Sequence, residues 1–184
     1  YENTNRQREA IQVGITGLRH VGIYLPQHPN KLDILLELAK SKFHLRNISI
    51  EDLKQHRLMK EEEKIVAMRI LMNLWSPAFL YNQNLLAFSV LRMVNLSVLY
   101  GNCTESALAY AFYGFVHCAQ LKQYHKGNEY GKLGIWLNEK FDDTSIRAKL
   151  YVIYYACVAF WTEPFSLLLE KLFKAHEIGV ATND

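Results

Sequence analysis

Apolar residues recur along this chain in steps of three and four, and nowhere do they alternate with polar ones over a stretch bounded by turn residues. That pattern predicts helices throughout and no strands. The clearest stretch, Thr104 to Asn138, carries small residues at Ala107, Ala111, Gly114 and Cys118, then at Gly127, Gly131 and Gly134. On a helix each set forms a narrow groove down one face, into which a neighbouring backbone can settle. Glycine costs a helix about 1 kcal/mol relative to alanine, so three at helical spacing need a packing reason. An antiparallel pair with its turn at Gln120 to His125 supplies one.

The hairpin has copies. A shift of about 41 residues lays Tyr100, Ala107, Tyr110, Phe112, Tyr113 and Gly134 over Phe141, Ala148, Tyr151, Ile153, Tyr154 and Ala175. A third trace lies at Ala10, Gly14 and Gly17, which repeat the small-residue step. The expected fold is therefore all-α, a right-handed superhelix of stacked antiparallel helix hairpins, or α-solenoid. It is expected as a single domain over 1–184.

In order, Arg6 to Ile23 reads as helix, with its small stripe inward and Arg8, Gln12 and Arg19 outward. Asn30 caps Lys31 to His44, whose Leu32, Leu35, Leu36, Ala39 and Phe43 form an apolar stripe. Ser49 to Asp52 has the form of a capping box opening Ile50 to Gln55. Glu61 to Glu63 complement the positive end of a helix running to Trp75, which buries Ile65, Met68, Leu71, Leu74 and Trp75. Ser76-Pro77 breaks it, Asn84 to Tyr100 follows, and Gly101-Asn102 is read as a left-handed stop. After the central hairpin come Thr144 to Trp161 and then Phe165 to Glu177, with Pro164 at its start and Gly179 as its stop.

Composition narrows the class. With 184 residues, half of them hydrophobic, the chain can bury a sizeable core. A net charge of +3 without clustering gives no footprint for nucleic acid. Cys103, Cys118 and Cys157 are odd in number and lie in apolar segments, which points to buried thiols in a reducing, cytoplasmic setting. The sequons at Asn47, Asn95 and Asn102 are then coincidental. The uncharged run Ile70 to Leu91 holds Asn73, Ser76, Pro77, Asn82, Gln83 and Asn84, so it reads as core helices with a turn, not as a membrane span. Tyr1 to Glu9 is too polar for a signal peptide, and without an initiating methionine the chain is expected to be an excerpt of a longer protein.

No catalytic constellation can be assembled from the sequence. Gly127 to Leu133 has glycines and Lys132 but is one residue short of a phosphate loop, has Leu133 where a magnesium-binding hydroxyl belongs, and lies in a helix. His117, Cys118 and His125 share no face for a metal, and Glu139, Asp142 and Asp143 lack a basic partner. No catalytic, metal or cofactor site is expected, and an all-α enzyme is kept only as a remainder. The unusual residue is tyrosine, of which there are eleven. Tyr110, Tyr113, Tyr151 and Tyr154, with His117 nearby, fall on the first helices of successive hairpins, where stacked repeats tend to bind partners. The competing reading is that they are ordinary core.

The segment Tyr110 to Leu137 resembles a degenerate tetratricopeptide repeat, with Gly114, Tyr124, Gly127 and Gly134 near its small and aromatic positions. Across the whole chain, GLRHVGIYLPQHPNKL (Gly17 to Leu32), SIEDL (Ser49 to Leu53), LYGNCTESALAYAFYGF (Leu99 to Phe115), YHKGNEYGKL (Tyr124 to Leu133) and FWTEPF (Phe160 to Phe165) carry a wider likeness. They resemble the helical region that follows the predicted ATPase domain in large bacterial multi-sensor signalling kinases. The resemblance implies a cytoplasmic, non-enzymatic module that docks a protein partner or another domain of its parent and regulates a neighbouring ATPase or kinase. The alternative is a sensor binding a small metabolite on its concave face at Tyr110, Tyr113, His117, Tyr151 and Tyr154. Neither a nucleic acid nor a membrane is expected as a partner.

Overall fold

A computed structural model describes residues 2–182. It is all-helical, and among the described residues the only β-type pairing is an isolated bridge between Leu58 and Asn102. Also among these residues, no helix is long and apolar enough to cross a membrane. The chain divides into two compact units, one from residues 1–48 and 57–102 and the other from 49–56 and 103–184.

The first unit holds α1 (Glu2–His20), α2 (Lys31–His44), α4 (Glu62–Asn73), α5 (Trp75–Tyr81) and α6 (Gln83–Tyr100). Helix α6 is its centre, with twelve residues buried from Leu85 to Val98, and α2, α4 and α5 pack on it. Helix α1 packs on α4 and α5 through Ile11, Ile15 and Leu18, all buried. Its glycines do serve close approach, since a Cβ on Gly14 would meet the Leu74 side chain and one on Gly17 would meet Ile70. Ala10, expected on the same inward stripe, is exposed. The branched residues one position on are larger and take the contact instead.

Two breaks are placed differently from expectation. Helix α4 ends at Asn73 with Leu74 as its cap, not at Ser76-Pro77, and Pro77 sits in the first turn of α5, where its missing N–H is not required. Gly101 has positive φ (112°) but an extended ψ of 170°, so it is not a left-handed cap. Its need for glycine is steric. A Cβ there would lie 2.5 Å from the Arg57 carbonyl oxygen, where Asn102 N–H donates to that same carbonyl at 2.8 Å.

The second unit holds α3 (Ile50–Lys54), α7 (Ser106–Ala119), α8 (Tyr124–Phe141), α9 (Arg147–Tyr151) and α10 (Phe165–Thr182). The expected capping box opens α3, with Asp52 N–H donating to Ser49 Oγ at 3.1 Å and Ser49 N–H to Asp52 Oδ2 at 2.9 Å. Hydrogen bonds from Ser49 hold the Asp52 carboxyl below its ordinary pKa.

Helices α7 and α8 form the antiparallel hairpin. A Cβ on Gly114 would lie 2.5 Å from the Gly127 carbonyl oxygen, and one on Gly134 would lie 2.5 Å from that of Ala107. The two small-residue stripes therefore face each other as a backbone-to-backbone seam.

After α9 the helix widens into a π-helix over Val152–Val158 and then tightens into a 3-10 turn over Ala159–Trp161, where one continuous helix was expected. Tyr154 of the wide segment lies over Gly131, whose Cβ would meet its ring at 2.5 Å. Burial follows the 41-residue shift only in part. Ala107 with Ala148, Tyr113 with Tyr154 and Gly134 with Ala175 are buried on both sides, whereas half-buried Tyr151 stands opposite buried Tyr110 and half-buried Phe112 opposite buried Ile153. Gly179 does not stop α10, which runs to Thr182, because a glycine ends a helix by taking positive φ and Gly179 does not take it.

The seam can be tested by its asymmetry with α1. Gly114→Ala is expected to cost about 2 kcal/mol or more in urea unfolding, because the new methyl meets backbone that cannot turn aside. Gly14→Ala should cost less, because its obstacle is the movable end of Leu74. Equal losses would mean that the seam is not close-packed.

Candidate interaction surface

Helix α2 begins at a full capping box. Asn30 Oδ1 accepts from the N–H groups of Leu32 and Asp33 at 2.8 and 3.1 Å, and Asp33 Oδ2 accepts from Asn30 N–H at 2.8 Å. An apolar stripe on such a helix ordinarily faces the core. Here it faces water. Leu32, Leu35, Leu36 and Phe43 are 63%, 59%, 54% and 59% exposed, and Ala39 between them is exposed too. The buried face of α2 instead carries Glu37 and Ser41.

The reason lies on α6. Glu37 Oε1 accepts from Asn95 Nδ2 at 2.9 Å and lies 3.3 Å from Arg92 Nε, while Lys40 Nζ approaches Oε2 at 3.2 Å. Ser41 Oγ donates to the Glu37 carbonyl at 3.1 Å, and His44 Nδ1 lies 3.3 Å from Asn95 Oδ1. Burying a carboxylate costs several kcal/mol unless charge and hydrogen bonds compensate it. Two cations and an amide do so here. Turning α2 over to bury its leucines would strand Arg92 and Asn95 against an apolar face, so the polar network sets the orientation and the leucines are left outside.

None of Glu37, Arg92 or Asn95 was anticipated. A signal for them exists in the sequence, because the otherwise apolar α6 carries Ser89, Arg92 and Asn95 three residues apart, a polar line down one face. The sequon at Asn95 is buried inside this network, and Asn102 is buried as well.

The residues expected to form a surface are mostly interior. Tyr110, Tyr113, His117 and Tyr154 are buried, and only Tyr151 is partly exposed. They also fall into two groups. In the α7–α8 hairpin, Tyr113 meets His117 and Tyr130 edge-on at 4.7 and 4.8 Å, His117 stacks on Tyr130 at 5.3 Å, and its Nδ1 lies 2.9 Å from Gln123 Oε1. At the end of α9 and in the π-helix that follows, Tyr154 donates to Asn128 Oδ1 at 3.0 Å, and Tyr151 and Tyr155 meet edge-on at 5.4 Å. The first group packs ring against ring and Tyr154 packs over Gly131, which is the packing alternative.

Burial raises the pKa of the Tyr110, Tyr113 and Tyr154 hydroxyls well above the ordinary value of 10 and pushes Tyr130 up to about 12, with neighbouring Tyr130 adding to the shifts of Tyr110 and Tyr113. Burial likewise pushes the Cys103 thiol up to about 12. Groups held neutral in this way suit packing, not proton transfer near neutral pH. Among the described residues no three His, Cys, Asp or Glu side chains converge on a point where a metal ion could sit.

No protein-family model, curated protein or solved structure matches this chain.

Two expectations follow from these clusters. Raised acid pKa values favour the neutral form in the fold, so their stabilisation is complete below about pH 9 and is lost as pH rises toward 12. Tyrosinate absorbance should therefore rise for Tyr110, Tyr113, Tyr130 and Tyr154 only together with loss of helical circular dichroism. Ionisation of all eleven tyrosines near pH 10 with the helix content intact would contradict their burial. Separately, Arg92→Ala is expected to cost about 3 kcal/mol or more in urea unfolding, while Glu37→Leu with Arg92→Leu should recover most of that loss.

Proposed function

We propose that this chain is a non-enzymatic docking module whose principal contact surface is the outward face of α2. The observation that carries the reading is the solvent-facing run of Leu32, Leu35, Leu36, Ala39 and Phe43 on a helix locked in place by a buried ion pair. Singly exposed leucines need no explanation, but a continuous stripe on one rigid helix marks a contact face. Preorganisation favours the same reading, because a helix already capped and fixed loses little freedom when a partner settles on it.

On this reading the module belongs to a tetratricopeptide-like superhelix of stacked hairpins. The α7–α8 seam and the shared burial of Ala107 and Ala148, Tyr113 and Tyr154, and Gly134 and Ala175 support that architecture. The resemblance to the helical region of bacterial signalling kinases suggests the setting, a cytoplasmic regulator of a neighbouring ATPase or kinase. The metabolite-sensing alternative draws less support. Four of its five residues, Tyr110, Tyr113, His117 and Tyr154, are committed to packing.

Replacing Leu35 and Leu36 by Gln should change folding stability by no more than about 0.5 kcal/mol, since both are exposed. With a photo-reactive benzoylphenylalanine at Leu32, a discrete cross-linked adduct is expected in cells, and the Leu35→Gln/Leu36→Gln pair should remove it. An equal adduct from the same probe at exposed Glu62, or none at Leu32, would overturn the reading.

A further inference from the structure

The margins of the α2 stripe state what kind of partner fits it. Lys31 and Lys42 lie along one edge, Lys40 along the other, and Arg46 follows the last turn with its guanidinium 4.2 Å over the Phe43 ring. All four are exposed, and Lys40 is the one engaged with Glu37. Among the described residues Lys31, Lys42 and Arg46 form no ion pair. Of the acids of α2 itself, Glu37 is drawn into the core, while Asp33 is half-buried and engaged in the capping box at the first turn. The outward face is thus a narrow leucine seam whose exposed flanking charges are cations, with half-buried Asp33 the one acid of α2 near its margin.

Resting on the docking reading above, the geometry points to one occupant: an amphipathic helix of a separate protein, with an aliphatic stripe bordered by Asp or Glu. A seam with side chains at spacings of three and four accepts the knobs of a second helix, and the flanking charges select its partner and direction. A second copy of α2 is disfavoured because its lysines would oppose these lysines. The exposed apolar side of α10, with Phe165, Leu169 and Phe173, offers no net acid, since Glu170 and Glu177 are matched by Lys171 and Lys174. A bilayer is disfavoured because an interfacial helix buries a broad apolar face, whereas this stripe is one seam wide.

The test uses the whole 184-residue chain and two labelled helical peptides with leucine at the seam positions, one with Glu at the flanks and one with Lys. Fluorescence anisotropy should show the Glu peptide binding at least about tenfold tighter at low salt, with the preference shrinking at high salt. Lys31→Glu with Lys42→Glu should reverse the preference. Leu35→Gln with Leu36→Gln, which leaves the charge unchanged, should abolish binding of both.

Equal binding of the two peptides, lost in the leucine variant, would overturn the acidic partner while leaving α2 as a docking face. No binding, or binding unaffected by the leucine variant, would overturn the docking reading itself. Sedimentation with phosphatidylserine–phosphatidylcholine vesicles, or a dimer in ultracentrifugation, either one lost in the leucine variant, would replace the helix by a membrane or a second copy.

Discussion

A carboxylate placed between two helices has to be met by charge and hydrogen bonds, and Glu37 is met by Arg92, Asn95 and Lys40. That constraint outranks the usual one. Burying three leucines and a phenylalanine is worth several kcal/mol by area, at about 1.5–3 kcal/mol for each large side chain. A guanidinium and an amide stranded against an apolar face would cost as much or more. The polar solution places the hydrophobic cost on the surface, where it becomes available to a partner. The same interaction thus holds α2 in its orientation and creates the surface on which the functional reading rests.

The second unit is organised by the opposite means. Its hairpin contains no buried ion pair at the seam, only backbone laid against backbone where Gly114, Gly127 and Gly134 omit their side chains. Close approach brings many weak contacts into play at once, and small residues make room for large ones nearby. Tyr154 enters over Gly131 and Tyr130 lies among Tyr110, Tyr113 and His117. Rings that looked like recognition residues in the sequence are core, and Tyr154 fills the volume that Gly131 leaves open.

Much of the fold was legible in order of distance along the chain. The N-cap at Asn30, the capping box at Ser49, the glycine seam and the helical class all depend on residues within a few turns of one another, and all appear as read. Boundaries were less secure where one residue type has two uses. Proline can break a helix or open one, as Pro77 does, and glycine can stop a helix or continue it, as Gly179 does. The widening over Val152–Val158 had no local signal at all.

By itself the sequence determined that this protein is helical, how α2 and α3 are capped, and which pair packs backbone to backbone, because those features follow from local spacing and steric size. Only the tertiary structure decided which way α2 faces and which aromatic rings stay in contact with water. Periodicity shows that a stripe exists on a helix, but not which face another element will cover. That choice belongs to α6, which lies some fifty residues further along the chain and carries the cation and the amide that draw Glu37 inward.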